Sequence, residues 1–564
     1  MSESAPNSGW LSGWSSGAGA RASHVTSPVV VTVVACILIA VSGVRGADYP
    51  AHLLRAELLD RAGAGMWNFW WYGGHPTPNY SVLVPPMVAA IGAVAVCAIA
   101  SIIATYVFAR LLDSALPATT PRAARLLAGL AFAVCAIVNV VVGRTSYAVG
   151  LAVGLLALAA WRGGRLALAT VLTVLTPLCS PVVAAFVAIA AAAVGIDALL
   201  DRRRRTAIEA TVVLAASAVP LLVMAVLFPG SGRFPFRGDS LVFSLILMGV
   251  ATCCHRDRVV RLALAMAAIS SLVLFVVPNP LGGNFLRFTQ FFVVPVAIAG
   301  AATVRRSWAP VMWGLLVGAA VWSAQYGVVA AVNWAGDDSV QPEFHEHLVA
   351  QIIARNADGK PAGRVEIPFT DNHWESLFVA SEVPYARGWE RQIDLDRNPE
   401  LYDPELTRTE YHDWLHHNGV RWIALANAPL DEGGRPEAEI LANWYTIDWL
   451  DRVWANENWT LFEVLDYLPL VDGPAELIAQ RSDAVMLRTP EPAVVTIRYE
   501  YSPELTITGA ACLIPHEHDG WMTVYLPEPG EYRITADAEA LLPGTERDTC
   551  RALIDESLGA DAAL

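Results

Sequence analysis

Long apolar segments separated by short polar gaps occupy the first 332 residues, whereas short alternating patterns fill the remainder. A helix that spans a bilayer needs about 20 mostly apolar residues. Eleven such segments are predicted as spans, at 28–44, 82–109, 125–142, 145–161, 165–179, 181–200, 207–228, 240–254, 259–277, 288–304 and 309–332. Pro177 and Pro181 interrupt the region 165–200, because proline disrupts the hydrogen bonds of a helix. The pattern predicts a polytopic α-helical membrane protein.

The chain after residue 332 alternates helical and strand patterns. Helical periodicity at 343–355 and 404–418, with strand patterns at 364–368, 420–426 and 459–466, is typical of a small α/β module. Short strand patterns then follow one another up to residue 540, which favours a small β-sandwich. The predicted domains are a disordered cytoplasmic N-terminus, a transmembrane domain, an α/β domain, a β-sandwich-like domain and a tail, at 1–27, 28–332, 333–470, 471–545 and 546–564.

Charge divides the chain at the same point. Residues 1–332 contain 22 Lys and Arg against 10 Asp and Glu, and the remainder contains 16 against 43, so that the two parts carry +12 and −27. The acidic part is a poor surface for nucleic acid. With the N-terminus inside, 14 arginines lie in the inner gaps and 7 in the outer gaps. The positive-inside rule therefore predicts a multi-pass plasma-membrane protein with a cytoplasmic N-terminus and an extracytoplasmic C-terminal domain.

The eight cysteines divide in the same way. Six lie in or beside apolar segments, where cysteine acts as a small hydrophobic residue. Only Cys512 and Cys550 lie in the acidic part, and a lone pair in an exported domain predicts one disulfide. Two unrelated buried thiols are the alternative.

The first predicted outer loop, residues 45–81, contains two short amphipathic patterns. Leucines recur at helical spacing over 50–61, and residues 66–72 include five aromatic side chains. Because aromatic rings favour the headgroup level, we expect two short helices along the membrane interface.

Asp48 follows the first predicted span and is the main candidate for chemistry. A carboxylate there could accept a proton from an acceptor hydroxyl, or hold a divalent cation such as Mg²⁺ or Mn²⁺ against a phosphate. A simple helix-capping role, just before Pro50, is the alternative.

Arginines on the predicted outer side could bind a phosphate donor, since guanidinium groups bind phosphate bidentately. Four candidates lie in three separate loops: Arg144, Arg233, Arg237 and Arg287. Arginines that reach towards lipid headgroups would give the same pattern.

Histidines form two further groups. His52 and His75 share the first loop and could bind substrate or transfer a proton, although interfacial packing explains them equally well. His412 and His416 lie one helical turn apart without an HExxH pattern, so they are interpreted as surface or packing residues.

Several short segments together resemble the C-type (GT-C) membrane glycosyltransferases, in particular the actinobacterial type with a C-terminal extracytoplasmic domain. In the membrane part these are Asp48-Tyr49-Pro50-Ala51-His52, Trp67, Tyr72-Gly73-Gly74-His75-Pro76, Tyr80, Gly143-Arg144-Thr145-Ser146-Tyr147, Ser180-Pro181 and Asn284-Phe285-Leu286-Arg287-Phe288. In the acidic part they are Tyr411-His412-Asp413-Trp414-Leu415, Gly419-Val420-Arg421-Trp422, Val453-Trp454 and Trp459-Thr460-Leu461-Phe462-Glu463-Val464.

The resemblance implies inverting transfer of a sugar from a polyprenyl-phosphate donor to a cell-envelope glycan, lipid or protein acceptor outside the membrane. It makes Asp48 the base or metal ligand, Arg144 and Arg287 the donor-phosphate ligands, and Asn284 a substrate contact. Many members have two adjacent acidic residues at the loop start, whereas Asp48 stands alone, which leaves metal dependence and catalytic competence open.

Two other classes of function remain open. A transporter of lipid-linked intermediates would carry charges at mid-membrane, which the predicted spans almost lack. A non-catalytic scaffold that binds envelope polymers would retain the fold without using Asp48.

Overall fold

The computed structural model describes residues 23–62, 67–78, 80–228, 232–301, 309–516, 520–537 and 550–555. Residues 1–22 of the predicted disordered segment lie outside the described residues. Most of the predicted tail lies outside them as well. The chain divides into two compact units. One contains residues up to 52 together with 79–336, and the other contains 53–78 together with 337–564. The structure therefore groups most of the first loop with the C-terminal part, whereas the sequence analysis assigned the loop to the transmembrane domain.

Helices make up the first unit, and α2 begins in it. They are α1 (Ser23–Ser42), α2 (Tyr49–Ala62), α3 (Val84–Ile91), α4 (Ala93–Ala115), α5 (Arg122–Val142), α6 (Thr145–Arg162), α7 (Leu166–Cys179), α8 (Pro181–Leu200), α9 (Arg204–Leu227), α10 (Gly238–Cys254), α11 (Arg258–Val276), α12 (Leu286–Phe288), α13 (Val294–Ala301) and α14 (Ala309–Asn333). A 3₁₀ turn at Gly282–Phe285 precedes α12, and a π-helical turn at Thr289–Val293 follows it.

The predicted polytopic membrane protein is confirmed. Within the described residues, nine helical stretches are long and apolar enough to cross a membrane, and α7 and α10 are shorter apolar helices. The sequence predicted eleven spans at closely similar positions. The segment 82–109 is one predicted span but two helices, because Gly92 has a φ of 83° and separates α3 from α4. A backbone with positive φ cannot continue a right-handed helix.

The second unit contains a four-stranded mixed sheet followed by two antiparallel sheets. The mixed sheet has the order β3-β4-β6-β5 and is built from β3 (Arg364–Glu366), β4 (Val420–Ala426), β5 (Leu450–Ala455) and β6 (Trp459–Val464), with β3 parallel to β4. Its helices are α15 (Pro342–Asn356), α16 (Glu375–Phe378), α17 (Arg391–Arg397), α18 (Arg408–His417) and α19 (Arg435–Leu441). The predicted α/β module and the strand-rich C-terminal region are both present.

The two antiparallel sheets share one apolar core. Their orders are β12-β13-β10-β7 and β11-β14-β9-β8. The strands are β7 (Val471–Asp472), β8 (Glu476–Gln480), β9 (Ala484–Thr489), β10 (Ala493–Glu500), β11 (Leu505–Ile507), β12 (Cys512–Pro515), β13 (Trp521–Leu526) and β14 (Gly530–Ala536). Alternating side chains of β10 and β13 fill the core, as expected for half-buried strands. Trp67 and Phe69 of the first loop pack into the same core.

The aromatic part of the first loop is not the interfacial helix that the sequence predicted. Trp67–Asn68 forms β1, which pairs with His75–Pro76 as β2, and the rings between them are buried inside the second unit. The chain reverses through Tyr72, Gly73 and Gly74, which all have positive φ. Glycine adopts such φ values at little cost, so the Gly-Gly pair favours a hairpin over a helix.

Candidate functional site

Asp48 is held beside the end of α5 by close backbone packing. The Asp48 N–H donates a hydrogen bond of 2.9 Å to the Val142 carbonyl oxygen. A Cβ added at Gly46 would lie 2.3 Å from backbone atoms of Val141 and Val142, so only glycine allows this approach. The end of the first span is therefore fixed against the end of α5.

Gly143 ends α5 and turns the chain into α6. Its φ of 94° is left-handed, and a Cβ there would lie 2.7 Å from the Tyr49 nitrogen. Arg144 follows directly as the N-cap residue of α6. The Tyr49 hydroxyl also donates a 2.7 Å hydrogen bond to the Val140 carbonyl oxygen. These local contacts bring the carboxylate of Asp48 and the guanidinium of Arg144 to the same place.

Asp48 and Arg144 form a long ion pair. Arg144 Nε lies 3.9 Å from Asp48 Oδ2, and the two side chains are 18% and 28% exposed, respectively. Arg144 Nε is buried and has no hydrogen-bond partner within the described part of the chain. The Arg144 guanidinium carbon lies 5.4 Å from the centroid of the Tyr326 ring in α14. Buried N–H groups normally donate a hydrogen bond to an acceptor. The Arg144 Nε–H group is therefore suited to bind an oxygen atom of an incoming ligand.

Arg287 adds a second cation to the same region. It lies in α12, and its guanidinium carbon is 4.8 Å from the centroid of the Tyr147 ring. Tyr147 belongs to the first turn of α6, just after Arg144. The structure thus brings together Asp48, Arg144 and Arg287, which are far apart in the sequence.

His52 lies in the same unit, at the first turns of α2. Its Nδ1 is 3.4 Å from the Ser146 hydroxyl oxygen, and its ring centroid is 5.8 Å from that of Tyr80. Ser146 follows Arg144 by two positions, so His52 contacts the same α5–α6 corner that carries Arg144. His52 is buried. Ser146 and Tyr80 were not selected individually by sequence reasoning, although both belong to the segments that carried the resemblance.

The other predicted arginines have different surroundings. Arg233 and Arg237 are exposed, and Arg237 Nη2 pairs with Asp239 at 3.1 Å. Their loop packs on the turn that precedes α12, since the Phe234 N–H donates to the Asn279 carbonyl oxygen at 2.9 Å. Asn284 lies in that turn and is half-buried.

His75 belongs to a buried ionic cluster in the second unit. Its Nε2 lies 3.2 Å from Glu390 Oε1, which Arg55 also contacts, and its ring stacks on Trp71 at 5.9 Å. Burial lowers the pKa of His75 below its ordinary value. Burial alone would raise the pKa of Glu390, but Arg55 and His75 lower it, so the carboxylate stays ionised. His75 is therefore a neutral packing and hydrogen-bonding residue in this cluster.

The predicted disulfide is confirmed. Cys512 and Cys550 are bonded, and their Cα atoms are 5.8 Å apart. The remaining six cysteines are free thiols, five of them buried.

Comparisons with known proteins give structural likenesses only. No family model matches the chain, and no curated protein matches it in sequence. A structure of the arabinofuranosyltransferase AftD from Mycobacteria aligns with a TM-score of 0.45 and 12% identity, over 91% of this chain and 57% of that one. The chain thus spans a little over half the length of AftD.

Two further solved structures have a similar backbone fold. The archaeal oligosaccharyltransferase AglB from Archaeoglobus fulgidus, in complex with an inhibitory peptide and a dolichol-phosphate, aligns with a TM-score of 0.42 and 11% identity, over 71% of this chain and 69% of that one. ArnT from Cupriavidus metallidurans, bound to undecaprenyl phosphate, aligns with a TM-score of 0.41 and 14% identity, over 80% and 99%.

Proposed function

We propose that this protein is a membrane glycosyltransferase that transfers a sugar from a polyprenyl-phosphate donor to a cell-envelope acceptor. The observation that carries the proposal is the convergence of Asp48, Arg144 and Arg287 at one end of the membrane helices. With the N-terminus in the cytoplasm, this end of the helices faces the exterior.

The two arginines would hold the phosphate of the donor. One carboxylate and two guanidinium groups sum to one positive charge, which favours an anion at this point. At 3.9 Å the Asp48–Arg144 pair is too long for a direct hydrogen bond, so a phosphate oxygen can take the Arg144 Nε–H without breaking one. Charge-assisted bonds from guanidinium to phosphate are short and directional. Arg287 supplies the second cation beside the Tyr147 ring.

Asp48 would act as the general base. The acceptor hydroxyl attacks the anomeric carbon, the bond from that carbon to the phosphate oxygen breaks, and the polyprenyl phosphate leaves with the bonding electrons. The hydroxyl proton passes to the Asp48 carboxylate and then to water. Attack opposite the leaving phosphate inverts the anomeric centre. The arginines stabilise the charge that develops on the leaving phosphate.

The residues identified around Asp48 do not fit a divalent cation. Mg²⁺ and Mn²⁺ prefer several oxygen ligands and usually more than one carboxylate. Among the described residues, the three-residue cluster of possible metal ligands does not include Asp48. Its identified ion-pair partner is instead the guanidinium group of Arg144, which repels a cation. No step of the proposed reaction therefore passes through a metal ion.

A transfer assay with matched carboxylate variants tests the proposal. Full-length protein in lipid vesicles would receive radiolabelled polyprenyl-phospho-sugars and an envelope-glycan acceptor. Removing a positioned general base typically costs about 10²- to 10⁴-fold, so Asp48→Asn should lower kcat by that factor. Asp60→Asn, an exposed carboxylate later in α2, should retain the wild-type rate. Arg144→Gln should raise KM for the donor and also lower kcat, because the guanidinium both binds the donor phosphate and stabilises the charge on the leaving phosphate.

The outcome that rejects the base role is full transfer activity in Asp48→Asn. Wild-type protein without transfer activity, but with binding of envelope polymers, would instead support the non-catalytic scaffold.

A further inference from the structure

We infer that His412, His416 and Asp466 form a metal site for Zn²⁺ or a closely similar transition-metal ion on the second unit. This inference is independent of the proposed transferase site, because all three residues lie in the mixed-sheet part of the chain. The sequence alone predicted surface or packing roles for the two histidines.

Local structure places the two histidines on one face of a fixed helix. α18 begins with a capping box, in which Thr407 and Glu410 exchange side-chain and backbone hydrogen bonds. His412 and His416 are four residues apart and therefore neighbours on the helix surface. Their ring centroids are 4.0 Å apart.

Asp466 approaches this face from the segment that follows β6. Asp466 Oδ1 lies 3.2 Å from His412 Nε2 and 3.4 Å from His416 Nε2. Ligands bound tetrahedrally to zinc at about 2.0 Å are about 3.3 Å from one another, which is the spacing of Asp466 Oδ1 from each histidine nitrogen. All three ligand atoms lie within 4.8 Å of each other.

Only one of the two histidines has its Nε2 atom in a hydrogen bond. His412 Nε2 is hydrogen-bonded to Asp466, whereas His416 Nε2 is buried and has no hydrogen-bond partner within the described residues. A buried ring nitrogen that faces a carboxylate oxygen at 3.4 Å without a hydrogen bond is suited to share a cation with it.

The surrounding chain keeps the three ligands in place. His412 stacks on Trp449 with centroids 4.4 Å apart. The Trp449 carbonyl oxygen accepts a 2.8 Å hydrogen bond from the Leu465 N–H, next to Asp466. Trp449, which precedes the edge strand β5, therefore contacts both the helix that carries His412 and the segment that carries Asp466.

The chemistry of the three ligand side chains indicates which class of metal ion the site prefers. Two imidazoles and one carboxylate suit Zn²⁺, whereas Mg²⁺ and Ca²⁺ prefer oxygen ligands. The Asp466 side chain is 51% exposed, so a fourth position is open to water. The ion would join α18 to the segment that leads from β6 into β7.

Metal binding by the purified full-length chain tests this inference. The protein would carry no polyhistidine tag, would be stripped with chelator and would be titrated with zinc sulfate by calorimetry. We expect one ion per chain, and tetrahedral absorption bands when Co²⁺ replaces zinc. His416→Gln should weaken binding at least about 100-fold, the upper end of the loss caused by removing an outer-sphere partner.

Two further variants complete the experiment. His347→Gln removes an exposed histidine elsewhere, in α15, and should bind zinc like the wild type. Asp466→Asn keeps the side-chain size and should weaken binding as His416→Gln does. Zinc should also raise the unfolding midpoint of the wild type but not of these two ligand variants. Equal zinc affinity in the wild type and His416→Gln, or an octahedral cobalt spectrum in the wild type, would overturn the inference.

Discussion

Glu390 connects the first loop to the C-terminal part through buried charge. Arg55 and His75 both contact its carboxylate, and all three side chains are almost fully buried. Removing one partner of a buried ion pair leaves an uncompensated charge, which typically costs about 3–5 kcal/mol. Residues 53–78 of the first loop are therefore part of the second unit's core in energetic terms.

His345 gives the second unit a pH dependence that can be measured. It lies in α15, donates from Nε2 to the Ser339 carbonyl oxygen at 2.9 Å, and is 1% exposed. Burial lowers the pKa of His345 to about 4. Because the unfolded chain binds this proton near pH 6.5 and the folded chain does not, stability is complete above pH 6.5 and falls as the pH drops towards 4. The loss from this residue approaches about 3 kcal/mol.

Urea unfolding of the full-length chain in detergent, followed by tryptophan fluorescence, would measure this effect. His345→Gln should be less stable at pH 7, since it loses the packed ring, but its stability should fall about 3 kcal/mol less between pH 7 and pH 4. The His347→Gln variant should follow the wild-type curve, because His347 is exposed. Parallel pH curves for wild type and His345→Gln would show that the buried ring titrates normally.

Sequence reasoning found part of the candidate site at the residue scale and missed the rest for a physical reason. Asp48, Arg144 and Arg287 carry charge beside apolar segments, which is visible in the sequence alone. Tyr326 lies in the middle of an apolar helix, where nothing in the local pattern separates it from packing residues. The partners of Glu390 come from positions more than 300 residues earlier, and hydrophobic periodicity carries no information on such pairs.

Individual elements were predicted best where one periodicity extends over many residues. The long apolar helices agree with the predicted spans to within a few residues at most ends. The aromatic run before Gly73 was predicted wrongly, because aromatic residues suit both an interface helix and a buried hairpin. The irregular stretch from Gly282 to Val293, which carries Arg287, was also not predicted as such. π-helical turns often occur at functional sites, and its apolar sequence gives no separate signal.

The contact between the segment after α1 and the end of α5 can be tested with one added methyl group. Gly46→Ala would place a Cβ 2.3 Å from Val141 and Val142 backbone atoms, which cannot move aside like a side chain. The segment carrying Asp48 must therefore shift relative to Arg144. A displacement of about 1 Å at a reacting group can cost about 10²-fold in rate, so we expect a loss of kcat near that size.

A matched glycine provides the control for this prediction. Gly318→Ala lies in α14, and a Cβ there would meet no atom within 4 Å. It should leave transfer activity unchanged and should not lower thermal stability, since alanine is a better helix former than glycine. If Gly46→Ala and Gly318→Ala have the same activity, the Asp48–Arg144 spacing does not depend on this backbone contact.

At the scale of the whole molecule, the charge distribution and the disulfide bond both favour an extracytoplasmic position for the acidic part of the chain. The basic part contains the apolar helices, and the acidic part contains the disulfide between Cys512 and Cys550. Disulfides persist in oxidising compartments, which favours an extracytoplasmic position for this unit. The bonded residues are 38 positions apart, and closing a loop of that length stabilises the folded state by about 4 kcal/mol.

Lys360 allows this orientation to be tested in the unmodified protein. It is the only lysine in the sequence, and its side chain is 54% exposed, with Nζ 2.9 Å from Glu463 Oε1. An exposed ion pair of this kind contributes at most about 1 kcal/mol, so the amine remains reactive. If the acidic unit lies outside, a membrane-impermeant amine reagent should label Lys360 in intact cells. Peptide mass spectrometry would locate the label.

The control and the contrary result follow from the same chemistry. Lys360→Arg keeps the charge but removes the primary amine, so labelling of that peptide should disappear without loss of the folded protein. Labelling of Lys360 only after the cells are lysed would place the acidic unit in the cytoplasm. Because the predicted spans are odd in number and Asp48 follows the first of them, an acidic unit in the cytoplasm would mean that Asp48 and Arg144 face inward, and a donor on the outer surface could not reach them.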